Sequence, residues 1–212
     1  MKRKILFIIL TITIAVLSIQ VQFFEFYMIG LISLCLLCIA VTGVINIFKK
    51  PNGKIYKFSI ITIAICLVGV IASLFRPYEE AILQSGTMGE KLQYAYKTDQ
   101  NDRMQLKSFV NSSNEFLERD KARLTQVNEI LEQGEPIEPI EKYYAAFIFH
   151  HSNNSKDYQT ASKLAAAAAK DESLKANYQV QWLKKATYDR WMLSIGKPEK
   201  YNTQNKLSLE FE

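Results

Sequence analysis

Apolar residues fill three uninterrupted runs in the first third of the chain, Ile5–Val21, Met28–Phe48 and Phe58–Phe75. A membrane span needs about 20 apolar residues, with a working range of roughly 17–25, and each run reaches the lower limit. Beyond Phe75 the pattern changes to apolar positions three and four apart, which predicts amphipathic helices rather than strands. Pro77-Tyr78-Glu79-Glu80 predicts a short first helix, with Pro near its start and acids in its first turn. Gly86 and Gly89 punctuate it, and a long helix follows over Glu90–Val110. Ser112-x-x-Glu115 has capping-box spacing and predicts the next helix, closed by Gly134. The turn Glu135-Pro136-Ile137-Glu138-Pro139 leads to a helix over Ile140–His151. Ser155 is a candidate N-cap for a helix reaching Lys170, and a last helix spans Leu174–Ile195, closed by Gly196 and Pro198. The tail from Glu199 reads as irregular. The expected fold is all-α: three transmembrane helices followed by an irregular soluble bundle of about five helices. Its expected divisions are a membrane domain (1–75), a linker or short helix (76–89) and an extracytoplasmic helical domain (90–212).

The basic residues are distributed on one side of these runs. Lys2, Arg3 and Lys4 precede the first, and Lys49, Lys50, Lys54 and Lys57 lie between the second and third. Gln22–Tyr27, between the first and second, has no Lys or Arg. Basic loops stay cytoplasmic, so the pattern predicts an inner-membrane protein with a cytoplasmic N-terminus, a first hairpin of spans and a third span leading outward. A cleaved signal peptide is the rival reading of the first run. No small-residue cleavage site follows, since the residues are Ser18-Ile19-Gln20-Val21-Gln22, and two further runs come after. Glu25, the lone acid in this region, reads as an interfacial residue of the outer loop.

The net charge of +5 is a property of the membrane region. Residues 1–75 hold seven of the 26 Lys and Arg against one of the 21 acids, so the remainder is balanced at 19 basic against 20 acidic. A balanced domain has no excess charge to neutralise phosphates, which removes nucleic acid from the expected partners and leaves the lipid bilayer. Cys35, Cys38 and Cys66 all fall within the apolar runs and read as small packing residues. The run Ala165–Ala169 reads as a surface for close helix approach.

Charged residues recur on the apolar stripes. Leu92, Tyr96, Asp99, Arg103, Leu106 and Val110 share one helical face, and Leu117, Asp120, Leu124, Val127 and Leu131 share another, with Arg123 beside it. Ile140, Tyr144, Phe147 and His151 form a third stripe, and Trp182, Ala186, Asp189 and Leu193 a fourth. Two readings follow. The groups pair as a structural network that sets helix register, with Asp99 and Arg103 as i,i+4 neighbours and Asp120, Arg123, Asp189 and Arg190 bridging helices. Alternatively they line a pocket, in which His151 between Asp99 and Asp189 is a candidate general base. The adjacent pair His150-His151 points about 100° apart on a helix and does not suggest a metal site. No H-E-x-x-H, P-loop, G-x-G-x-x-G or G-x-S-x-G motif occurs, so no metal, cofactor or serine nucleophile is expected.

Several segments, taken in order, carry a resemblance. They are Thr98-Asp99-Gln100-Asn101-Asp102-Arg103, Arg119-Asp120-Lys121-Ala122-Arg123, Tyr143 through His151, and Asp157-Tyr158 leading to Leu164-Ala165. Trp182-Leu183-Lys184-Lys185-Ala186 with Asp189-Arg190, and Gly196-Lys197-Pro198 with Tyr201, Thr203 and Gln204, complete the series. Over about 92–204 the chain resembles an uncharacterised bacterial family of helical domains of unknown function. It departs from that pattern at His150-His151-Ser152, where Gln-His-Gly is more usual, at Pro198-Glu199 instead of Pro-Gln, and at Asn202 in place of a glycine. The resemblance implies that Asp99, Gln100, Arg103, Asp120, His151, Asp189, Arg190 and Gln204 form one constellation; it implies no reaction.

The leading expectation is therefore a non-enzymatic, membrane-anchored helical module that binds a small ligand or a protein partner in the envelope, including an incoming toxin that it would neutralise. Its expected binding residues are that constellation together with Arg123. The alternative is a hydrolase-like envelope enzyme using His151 and the interior aspartates.

Overall fold

The computed structural model describes residues 2–48, 53–110 and 114–204, with the side chains of Lys2 and Arg3 excepted. Lys49, Lys50 and the expected capping residue Ser112 lie outside the described residues. Those described are helical and contain no strand. They divide into two units, one comprising 1–78 with 104–111, the other 79–103 with 112–212.

The first unit is built from α1 (Lys2–Gln20), α2 (Phe24–Phe48) and α3 (Gly53–Ser73), with α5 (Leu106–Val110) joining it from later in the chain. Two helices, α2 with 25 residues and α3 with 21, are long and apolar enough to cross a membrane. The apolar part of α1, Lys4–Gln20, falls short of that length. At 1.5 Å per residue its 17 residues cover about 26 Å of a hydrocarbon core about 30 Å thick. Of the three spans expected, two thus meet the measure. The expected hairpin also differs in detail: α1 and α2 each pack along α3 rather than chiefly on each other. Gly69 of α3 permits that approach, because a Cβ there would lie 2.8 Å from Ile14 Cγ2 and 2.9 Å from Ser18 Oγ. The outward faces remain apolar, with Leu36, Leu37, Val44, Phe58, Ile60 and Ile71 all exposed, a surface that water does not favour.

Glu25 departs most from expectation in this unit. It lies in the first turn of α2 and is buried, paired with Arg76. Arg76 Nη2 donates to Glu25 Oε2 at 2.7 Å and Nη1 to Oε1 at 3.1 Å. The same guanidinium donates to the carbonyls of Ser18 (2.5 Å), Ile19 (3.2 Å) and Val21 (2.7 Å). It therefore caps the C-terminal end of α1, whose last carbonyls have no partner within the helix.

The second unit contains α4 (Met88–Arg103), α6 (Asn114–Glu132), α7 (Pro139–His150), α8 (Ser155–Ala168) and α9 (Tyr178–Ser194), with a 3-10 turn at Glu172–Leu174. Helix α7 is central, packed by α4, α6, α8 and α9. One side of it meets Leu92, Ala95, Val127, Ile130 and Ala161 through Ala145, Ile148 and Phe149. The other meets Ala165, Ala168, Val180 and Leu183 through Tyr143 and Ala146. Ala161, Ala165 and Ala168 are fully buried where α8 packs on α7 and α9, the close approach that alanine permits.

Several expected boundaries shift, among them the start of the last helix, at Tyr178 rather than Leu174. No helix forms at Pro77–Glu80. Later in that irregular segment, side chains satisfy backbone carbonyls instead: Thr98 Oγ1 donates to Ala81 O (3.1 Å) and Gln126 Nε2 to Leu83 O (2.9 Å). The long helix expected over Glu90–Val110 breaks after Arg103, and α5 belongs to the first unit. Helix α8 is capped by Asn154, whose side chain accepts from Asp157 N, rather than by Ser155. A capping box starts α4, with Thr87 N donating to Glu90 Oε2 at 2.8 Å and Glu90 N to Thr87 Oγ1 at 3.3 Å.

Candidate functional site

The helical stripes carry charge inward, rotated from the expected registers. On α4 the buried positions are Leu92, Ala95, Thr98, Asp99 and Asp102, and on α6 they are Arg123, Val127 and Ile130. Leu117 and Val110, expected on the inner stripes, are exposed. The rotation follows from Ala95, whose small side chain lets α7 approach α4 closely and turns Thr98 and Asp102 toward α6. Tyr96 turns aside to an aromatic cluster, its ring 5.3 Å from Tyr143 and 5.0 Å from Tyr144.

The charges form a single alternating chain across α4, α6 and α7. Arg119 Nε donates to Asp102 Oδ2 at 2.7 Å. Arg123 also donates to Asp102 Oδ2, and reaches Asp120 Oδ1 at 3.1 Å and Thr98 Oγ1 at 3.1 Å. Arg103 Nη2 donates to Asp120 Oδ2 at 2.7 Å and to Asp99 Oδ1 at 3.0 Å. Gln100 Nε2 donates to Asp99 Oδ2 at 2.8 Å. His151 Nδ1 lies 3.0 Å from that same oxygen, without the alignment of a regular hydrogen bond. The sequence Arg119–Asp102–Arg123–Asp120–Arg103–Asp99–His151 thus alternates in kind along its length.

Burial is uneven along this chain, deepest at Asp102, Arg123 and Asp99 and least at Asp120 and Arg103. Arg123 is fully buried, whereas the side chains of Arg103, Asp120 and His151 are 28, 20 and 17% exposed. Those three border a cleft of about 540 Å³, whose rim includes Glu118, Lys121, Asn153 and Asn154. The environment sets the protonation of the acids. Burial alone would raise the Asp99 carboxyl, but His151 and Arg103 outweigh it and hold the group well below the usual carboxylate range. Asp120 moves the other way: burial, with Asp99 adding to it, raises the carboxyl despite Arg103 and Arg123.

His150, which the sequence reading left unassigned, is buried between Phe147 and His151. Burial, then the charge of Arg190, lowers its pKa to about 2 and keeps the ring neutral.

The expected constellation separates into two groups. Asp99, Gln100, Arg103, Asp120, Arg123 and His151 are brought together. Asp189 instead holds the tail: its oxygens accept from Lys200 N (2.7 Å), Tyr201 N (3.0 Å), Thr203 N (3.1 Å) and Thr203 Oγ1 (2.8 Å). Arg190 and Gln204 bind each other at 3.1 Å, and Arg190 Nη1 donates to the His150 carbonyl at 2.6 Å. They buttress the end of α7 just before His151. Asp102, Arg119 and Thr98 were missed as site members. Their signal was present as spacing, because Asp99 and Asp102 are three apart and Arg119 and Arg123 four apart, each pair on one helical face. Among the described residues no group of three His, Cys, Asp or Glu could hold a metal ion.

Asp189 gives a prediction of its own. Burial would raise its carboxyl, and the backbone N–H donors of Tyr201 and Lys200 with Thr203 reverse this, leaving it below the usual range. A depressed carboxylate stabilises the fold above its unfolded pKa and loses that contribution as pH falls through the folded value. Asp189→Asn should cost about 1–3 kcal/mol at neutral pH and flatten the acid limb of the stability curve. Urea titrations between neutral and acidic pH check this; a wild-type acid limb in the variant would reject the role.

No family model, no curated protein and no solved structure matches the chain. The chemistry of the site therefore rests on its geometry.

Proposed function

We propose that this chain is a multi-pass inner-membrane protein, with α1 as a third span and a cytoplasmic N-terminus, that presents its helical unit outside the cytoplasm to bind a protein partner of the envelope. An incoming toxin is one such partner. The one-sided placement of Lys2, Arg3, Lys4, Lys49, Lys50, Lys54 and Lys57 supports the orientation. Alkaline phosphatase fused after Glu212 should be active; an inactive fusion would reverse it.

The observation that carries the binding reading is the cleft-lining part of the charge chain. Arg103 is held by Asp99 and Asp120 yet keeps an exposed edge in the cleft. Such preorganised charge recognises a polar group without ordering side chains on binding. Both Asp99 oxygens are already engaged, by Arg103, Gln100 and His151. A second reading, a hydrolase-like enzyme, is favoured by one observation, the 3.0 Å approach of His151 to Asp99, in which the carboxylate would orient a general base. Crosslinking in intact membranes separates the two. Arg103→Ala, still folded as judged by a cooperative melting transition, should lose a partner that wild type and His151→Ala retain. Absence of any partner, with turnover of an envelope substrate that His151→Ala abolishes, would overturn the binding reading in favour of the enzyme.

A further inference from the structure

Helix α5 turns Lys107 and Ser108 toward the protein and Phe109 and Val110 out. Lys107 Nζ donates to the Arg76 carbonyl at 2.6 Å and lies 3.1 Å from the centre of the Tyr78 ring. Ser108 Oγ lies 3.2 Å from the Tyr78 hydroxyl. Arg76 is itself fixed on the carbonyls that end α1 and on Glu25, which begins α2. It follows directly on the turn that ends α3. These contacts hold α5 at one end of the helical bundle, where α1 stops, α2 starts and α3 stops.

Apolar side chains predominate among the outward residues at that end. Met104, Phe109 and Val110 are 52, 73 and 67% exposed, and Val21, Phe26, Tyr27 and Phe75 are exposed as well. In α5 the cation is withdrawn and Phe109 is presented, the reverse of what a water-facing helix does. The patch continues the apolar outer faces of α2 and α3 past their ends. That continuity selects the occupant: the boundary between headgroups and acyl chains, where aromatic and apolar side chains of interfacial helices settle.

We infer that α5 is a membrane-surface foot, with Met104, Phe109 and Val110 seated in phospholipid at the Arg76 end of the bundle. The chain thus meets the membrane twice at that level, at 73–78 and again at 104–110. The inference rests on the reading of α2 and α3 as spans.

A benzophenone amino acid replacing Phe109 in the full chain, reconstituted in vesicles of phosphatidylethanolamine and phosphatidylglycerol, tests it. The same probe at Leu36, exposed on α2, reports on the spans alone. Lipid adducts are expected at both positions. With the probe moved to Val110, Met104→Ser with Phe109→Ser should reduce lipid adducts severalfold; these side chains are exposed, so folding is unaffected. Adducts at Leu36 with none at Phe109, or with only protein adducts there, would overturn the foot and leave the spans standing. No lipid adduct at Leu36 would overturn the membrane reading and the foot with it.

Discussion

Arg123→Met should destabilise the second unit by about 3–5 kcal/mol, the range for removing one partner from a buried ion pair. Arg123 is fully buried and serves two aspartates and a threonine on α4 and α6. Methionine fills much of the same volume beside Val127 and Ile130, so the loss is electrostatic rather than a cavity. Asp102 keeps Arg119 but loses its most buried donor, and Thr98 loses one of its partners. The two tryptophans, Trp182 and Trp191, both lie in the second unit, so their fluorescence in denaturant reports on that unit in the intact protein. Arg103→Met should cost less, about 1–3 kcal/mol, because Arg103 and Asp120 are partly exposed although Asp99 is buried. Equal losses for the two variants would contradict the difference in burial between Arg123 and Arg103.

That difference also bears on function. The network runs from the buried Arg123 to side chains that line the cleft. Its more buried half, Asp102 with Arg119 and Arg123, fixes the register of α4 against α6. The cleft-lining half, Arg103 with Asp120 and His151, inherits a fixed geometry at little further entropic cost. In a double-mutant cycle, Asp102→Asn with Arg123→Met should therefore lose less than the sum of the single changes. A matched cycle on Arg103 and Arg119 should be close to additive.

Helical character was legible because spacing and caps agree: Gly134 and Gly196 both take positive φ where helices end. Register was less legible. The stripe through Tyr96 and Arg103 is the more hydrophobic one on paper, but Ala95 and Thr98 face inward because small residues admit neighbouring backbone. Size, not hydropathy, set the rotation, and Asp102 came inward with them. The break after Arg103 has no glycine or proline to announce it. It follows from Lys107 and Ser108 binding Arg76 and Tyr78, residues about thirty positions earlier, which local periodicity does not contain. Asp189 was correctly seen as pointing inward, but a carboxylate's partners on an irregular tail leave no spacing to read.

The largest expected effect in the first unit is on Arg76. Arg76→Gln leaves Glu25 buried without its cation and removes the guanidinium donor from the carbonyls of Ser18, Ile19 and Val21, of which Val21 keeps the Phe24 N–H. Where water is scarce each orphaned group costs free energy, and the ion pair alone accounts for about 3–5 kcal/mol. Arg76→Lys should recover only part, since an ammonium cannot match the guanidinium fork that serves α1 and α2 together. The native cysteines supply the readout: Cys66 and Cys35 are buried while Cys38 is exposed. In detergent, thiol labelling of Cys66 by opening of the unit should accelerate on the order of a hundredfold or more in Arg76→Gln, with Cys38 unchanged. Glu25→Gln in the same background should restore part of the protection by removing the stranded charge. Wild-type labelling of Cys66 in Arg76→Gln would mean that the three helices hold together by apolar packing around Gly69, with the polar clamp at their end contributing nothing measurable.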